Sequence, residues 1–338
     1  MKRRLYIIFA VVLAVCSCTN NYDVPEPPEL PDCTVYVHYS EAGVEVTIPD
    51  LLKDSVSALT DGSYATLTSN VTSREIRVSL SGSSTDGGFT YNGGYKCTIE
   101  FNGIVLKSNR GAAVDIECGK RISLVLKDGT KDSLVDMAGG TQKSCLYCKG
   151  HMEVKGGGSL VVTGNTRHAI STKEYLELKK STGSITILSS VGNAINVGEY
   201  FQMNGGSIEA TMTHEDTKGV RVDSIVIING GTINIVAQGN GTRGIQTDMD
   251  MYINQTDSQI PTSITIAANG GNCTLPECAD DPHRCMGIKA DGNLTVNGGY
   301  TKVTKLQGKA RGIKVGGSYI YNGGTVDCTD IRDKDYEK

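Results

Sequence analysis

Between residues 168 and 328 apolar and polar residues alternate in short runs, each closed by Gly or Asn. Alternation at a period of two marks a strand with one buried face, whereas a helix would repeat near 3.6 residues. Pairs of a small residue with Ile or Val set a frame: Ala169-Ile170, Ala194-Ile195, Gly219-Val220, Gly244-Ile245, Gly287-Ile288 and Gly312-Ile313. They recur every 25 residues, with one interval of 43 between Gly244 and Gly287. Counting the small residue as position zero, Asn204, Asn229, Asn254, Asn297 and Asn322 all stand at +10, and four of the five open an Asn-Gly-Gly triplet. Inward positions fall at +1 and +3 (Ile195 and Val197), +7 and +9 (Phe201 and Met203), and +14 and +16 (Ile208 and Ala210).

Three short strands per 25 residues, joined at Gly/Asn corners, predict an all-β fold: a right-handed, single-stranded parallel β-helix. Equivalent positions then stack about 4.8 Å apart, so each sequence column becomes a physical ladder. The Asn column is an amide ladder at a corner, where the following glycines supply positive φ without steric cost. Upstream the rhythm is less regular, but Leu146 and Cys148 stand 24 residues before Ile170 and Thr172, and the solenoid is placed over 91–330. Residues 33–90 alternate without the period and are read as an N-terminal β cap that protects the first rung from edge pairing. The long interval predicts an insertion at 255–286, the kind of protrusion through which solenoids bind. Residues 331–338 form a charged tail.

The N-terminus has its own pattern. Lys2-Arg3-Arg4 precede an apolar run from Leu5 to Val15 and then Cys16-Ser17-Cys18, the layout of a secretory signal over 1–17, too short to span a bilayer. A cysteine closing such a run resembles the lipobox of bacterial lipoproteins; Cys18, after the small Ser17, is the first choice for acylation and Cys16 the alternative. A Pro-rich tether over 18–32 then holds the body off a membrane, which predicts export and lipid anchoring to the bacterial outer membrane or cell surface. Nine of the 11 cysteines follow Cys18, an odd number that cannot all pair within one chain. With 41 Gly, 4 Phe and no Trp the composition is not that of an ordinary helical enzyme, and a formal net charge of −4 gives no overall basic field for nucleic acid.

The units Gly-Ile-Lys-Ala-Asp-Gly-Asn-Leu-Thr-Val-Asn-Gly-Gly at 287–299 and Gly-Ile-Lys-Val-Gly-Gly-Ser-Tyr-Ile-Tyr-Asn-Gly-Gly at 312–324, with His-Ala-Ile-Ser-Thr-Lys-Glu-Tyr-Leu at 168–176, resemble a family of bacterial surface carbohydrate-binding proteins. That family is a parallel β-helix similar in shape to pectate lyases, and the likeness spans residues 90–328. The resemblance implies binding of plant-type or acidic polysaccharide, with structural calcium as an option and no established catalytic activity. It carries over no catalytic residue.

Two columns carry positive charge. Outward position +2 reads Ser171, Asn196, Arg221, Gln246, Lys289, Lys314, and corner position −1 reads His168, Asn193, Lys218, Arg243, Met286, Arg311. Lys218, Arg221, Arg243, Lys289, Arg311 and Lys314 thus line one flank of an acidic chain. Stacked like charges repel, and a polyanionic ligand of matching repeat would reconcile them; a plain solvated face is the alternative. Position +4 gives Asp223, Asp248 and Asp291, with Asp250 close by, either a candidate Ca2+ site or a set of Asx-turns. Glu277, Asp280 and Asp281 form a second acidic group. Tyr175 and Tyr200 stack outward at +6 as candidate sugar-docking rings.

In Cys145-Leu-Tyr-Cys148-Lys-Gly-His151, alternation turns Cys148 inward onto Thr172 and His151 outward, which favours packing over a metal or redox motif. Cys273, Cys278 and Cys285 staple the inserted loop or, with His283, hold zinc. The leading reading is a non-catalytic surface lipoprotein that binds polysaccharide along the basic flank and requires no cofactor. A calcium-assisted polysaccharide lyase with an Arg or Lys base and an adhesive protein with a protein partner are the alternatives.

Overall fold

The computed structural model describes residues 33–280, 283–305 and 310–335; the signal segment, Cys16, Cys18 and the tether lie outside them. The repeat is a parallel β-solenoid. In the coil that starts at Lys218, the strands Lys218–Val222, Val226–Ile228 and Gly231–Ala237 lie on three successive faces. Each pairs in parallel with its counterpart one turn on, Arg243–Thr247, Met251–Ile253 and Thr262–Ala268. These are termed the first, second and third faces. A 12-stranded sheet runs the length of the first face.

The register reproduces the sequence columns. Ile195 pairs with Val220, Val220 with Ile245, Ile245 with Ile288 and Ile288 with Ile313. Upstream, Leu146 pairs with Ile170 and Cys148 with Thr172. Inward residues of all three faces, such as Val197, Phe201, Met203, Val226 and Ile233, are completely buried and belong to one apolar core reaching from Val35 to Val315.

That core dictates the small residue at position zero. A Cβ on Gly244 would lie 2.5 Å from Ile266 Cγ2 and 2.6 Å from the Gly287 carbonyl, and one on Gly219 would lie 2.7 Å from Ile235 Cδ1. Neither glycine has positive φ, so the requirement is for space. At the Asn corners conformation decides instead: the second glycine of each triplet, Gly206, Gly231, Gly299 and Gly324, has φ between 79° and 98°.

Three boundaries depart from the sequence reading. The cap is shorter than 33–90. Two antiparallel hairpins, Thr34–Ser40 with Gly43–Thr47 and Val56–Asp61 with Ser63–Ser69, extend two faces, and parallel coiling has begun by Ile76–Ser84. The insertion is not one block, because Thr262–Ala268 turns Ile264, Ile266 and Ala268 inward in register with the strand below. Extra residues therefore fall at 255–261 and 269–285, and only the second piece carries the cysteines. Finally, the tail begins as a strand, since Ile331–Arg332 closes the first face against Ile313 and Lys314.

Candidate functional site

Toward the C-terminal end of the first face, the strands Arg243–Thr247, Met286–Ala290 and Arg311–Val315 floor a groove of about 480 Å³. Arg243, Arg284, Lys289, Arg311, Lys314 and Lys334 line it, with His283, and among the described residues they share the lining with two carboxylates, Asp291 and Asp333. Lys289 and Lys314 are direct neighbours across the ladder. Arg243 is largely buried in the floor, its Nη1 donating to Gln246 Oε1 at 2.6 Å.

Four of the six predicted cations, Arg243, Lys289, Arg311 and Lys314, are thus brought together. Lys218 and Arg221 stand apart. Lys218 Nζ donates to the Asp216 carbonyl at 2.6 Å and to Asp216 Oδ1 at 2.9 Å, and burial pushes its ammonium below the usual lysine range despite that partner. Arg221 donates to the Val222 carbonyl at 2.5 Å and contacts Asp248 at 2.6 Å and Asp223 at 3.2 Å. The groove also contains residues the repeat could not place. Arg284 sits in the inserted loop, bridged to Asn272, and Lys334 is turned back by its backbone N–H on the Gly317 carbonyl at 3.2 Å. The sequence signal for both was only that insertion and tail carry charge.

The Asp column is the counter-charge of the basic one. Arg221 joins Asp223 to Asp248, and Lys289 lies 2.7 Å from Asp291. Asp250 instead closes a corner, accepting the Asn293 N–H at 2.7 Å and the Tyr252 hydroxyl at 3.2 Å. These carboxylates do not converge on one point. Among the described residues only Cys273, Cys278 and His283 bring three metal-binding side chains within 4.8 Å of one another. Glu277 and Asp280 are exposed on the loop, and Asp281 lies outside the described residues.

Tyr175 and Tyr200 stack on consecutive rungs, centroids 4.7 Å apart and planes 16° from parallel, and the His151 ring meets Tyr175 at 4.3 Å and 88°. Each of the two tyrosines thus covers one face of the other. Cys145 and Cys148 are buried packing residues, and burial pushes the Cys148 thiol up to about 12. One disulfide joins Cys273 and Cys278. Cys285 is no part of that staple; it is a buried thiol against Thr242 Oγ1 at 3.3 Å, packed with Ala237, Ala268 and Ala310.

A parallel β-solenoid with a cationic groove at one end of a regular face defines the structural class. Residues 61–333 match the family described as "Carbohydrate-binding domain-containing protein", and the chain belongs to that family. Among solved structures, a polysaccharide lyase-like protein from C. thermocellum, in a gadolinium derivative, is similar with 17% identity and a TM-score of 0.56. The match covers 82% of this chain and 99% of that one, and at such identity it is a likeness of fold. No curated protein matches the chain.

Proposed function

We propose that the protein binds acidic polysaccharide along the first face and does not cleave it. The observation that carries this reading is the groove in which six Lys and Arg side chains face Asp291 and Asp333. A chain bearing a carboxylate on each sugar suits it, because successive rungs, about 4.8 Å apart, each offer a further cation. Repeated weak contacts then share the binding energy. Membership of a carbohydrate-binding family supports a glycan over a protein partner. In the same reading Cys18, or Cys16, carries the lipid that anchors the protein at the outer membrane or cell surface. No cofactor is required, and Ca2+ at Asp223, Asp248 and Asp291 would have to compete with Arg221 and Lys289.

The test is native affinity electrophoresis of residues 19–338 through gels containing polygalacturonate or a neutral glucan, with and without chelator. The same mixtures are assayed for unsaturated sugar ends. Retardation by polygalacturonate alone, weakened by salt and without product, is expected. Product would make the protein a lyase, loss of retardation with chelator would show a role for calcium, and unchanged mobility in every gel would refute the glycan reading.

A further inference from the structure

The inserted piece 269–285 meets Asp216 in a cluster of which His283 alone lines the groove. His283 Nε2 lies 3.7 Å from Cys278 Sγ and 2.5 Å from Asp216 Oδ1. Cys278 is itself joined to Cys273. We propose that Cys273, Cys278, His283 and Asp216 form a reduction-gated zinc site: once a thiol reductant opens the disulfide, the four side chains hold one Zn2+.

The donor set is the first argument. Two thiolates, an imidazole and a carboxylate are ligands that zinc takes in a tetrahedron, and the spacing Cys-x4-Cys-x4-His lies within the range of structural zinc loops. With Zn–S near 2.3 Å and Zn–N near 2.0 Å, a tetrahedral edge between sulfur and nitrogen is about 3.5 Å. The observed Cys278 to His283 separation is 3.7 Å. The His283–Asp216 contact is 2.5 Å, and a metal in its place spreads the pair by less than about 1 Å. The Cys273 and Cys278 Cα atoms are 6.0 Å apart, so their sulfurs can separate by side-chain rotation.

The second argument is that the ligands are held without the disulfide. The Glu215 carboxylate accepts the Thr274 N–H at 3.0 Å and the Thr274 hydroxyl at 2.8 Å. The Cys273 N–H donates to the His283 carbonyl at 2.8 Å, and the Cys285 N–H to the Gly271 carbonyl at 2.9 Å. Asp216 is the only described non-glycine residue with positive φ, 53°, a strained state that persists where its surroundings impose it. The solenoid, moreover, does not depend on oxidation: Cys33, Cys97, Cys118, Cys145, Cys148, Cys285 and Cys328 are all thiols.

The chemistry balances. Two equivalents of a small thiol pass two electrons and two protons to the cysteine sulfurs and leave as their own disulfide. Zn2+ then displaces both cysteine protons into solvent, and His283 binds through Nε2 with its proton on Nδ1. Because His283 and Arg284 line the groove, the metal would sit at its rim, yet the assignment is independent of what the groove binds.

Cobalt substitution of the full chain tests it. Oxidised protein, and protein reduced with dithiothreitol and desalted anaerobically, are titrated with Co2+, whose absorption reports tetrahedral thiolate coordination. The reduced protein should take up one Co2+ with a sulfur-to-cobalt charge-transfer band that one equivalent of Zn2+ abolishes, and the oxidised protein should show none. Cys273→Ser should eliminate the band, and His283→Gln should weaken binding by more than the roughly 10–100-fold typical of losing an outer-shell partner. No band after reduction, an equal band in the oxidised protein, or a band that survives Cys273→Ser would each overturn the proposal. The oxidised wild type keeps every other thiol, so the comparison stands even if Cys273→Ser misfolds.

Discussion

Replacing Asn229 with Ala should cost about 2 kcal/mol of stability, and the same change at Asn322 less than about 1 kcal/mol. Five amides run in single file along the corner between the second and third faces. Asn322 Nδ2 donates to Asn297 Oδ1 at 2.7 Å, Asn297 to Asn254 at 2.8 Å, Asn254 to Asn229 at 2.8 Å and Asn229 to Asn204 at 2.8 Å. Asn204 then donates to the Glu177 carboxylate at 2.8 Å. All the amides point one way, so their dipoles reinforce one another and the file ends on a negative charge. Removing Asn229 breaks two bonds, each contributing about 0.5–1.5 kcal/mol net, and leaves the half-buried Asn254 amide without its acceptor. Asn204 Oδ1 retains Gln202 at 3.2 Å, which limits the loss on that side. Asn322 is exposed and makes one ladder bond, which water can replace. Urea unfolding followed by far-UV circular dichroism compares the two variants. Equal costs, or a loss below about 0.5 kcal/mol for Asn229→Ala, would refute the ladder as a cooperative element.

Gly244→Ala should destabilise by about 1–3 kcal/mol through overpacking against Ile266 and the Gly287 carbonyl, read as a drop in urea midpoint; a neutral effect would remove the steric account of position zero. Between pH of about 6.5 and 4 two buried groups should pull stability in opposite directions. Burial, with Arg167 and Lys218 nearby, pushes His168 down to about 4, so the unfolded chain binds the proton first, and about 3 kcal/mol is lost across that window. Asp115, pushed up to about 6 by burial and by Glu117, returns a similar amount as pH falls, so the wild type should change little, His168→Gln should gain stability toward pH of about 4 and Asp115→Asn should lose it. In the groove, Lys314→Glu should weaken retardation by polygalacturonate several-fold, whereas Lys131→Glu, exposed on the third face, changes net charge equally and should leave it intact.

The coil was legible because a solenoid repeats each contact one period later. Ile195, Val220 and Ile313 share a sequence column and a physical one for the same reason, a closed core that accepts apolar side chains only on alternate residues. Legibility failed where the corner chemistry changed. Asn254 is followed by Gln255 and Thr256 in place of Gly-Gly, so the chain leaves the corner by a longer route, and the strand Thr262–Ala268 keeps its alternation while losing its phase. The period alone therefore counted it as insertion. The tyrosine pair was legible for the same reason: position +6 repeats on consecutive rungs, so Tyr175 stacks on Tyr200.

The site was half legible, and its location follows from where one column ends. Through three coils each cation-bearing rung carries an Asp at +4: Asp223, Asp248 and Asp291. Arg221 and Lys289 are neutralised by them, and the flank gains little net charge over those rungs. On the next rung the cations continue as Arg311 and Lys314, but position +4 is Gly316. No carboxylate fits there, since a Cβ on Gly316 would come within 2.3 Å of the Asp291 carbonyl. The Asp column thus stops one rung before the basic one does, and the groove that Gly316 itself lines gathers Arg311 and Lys314 with Arg284 from the loop and Lys334 from the tail. A count of columns shows the basic residues as an even stripe; the backbone approach at one glycine makes that stripe a site.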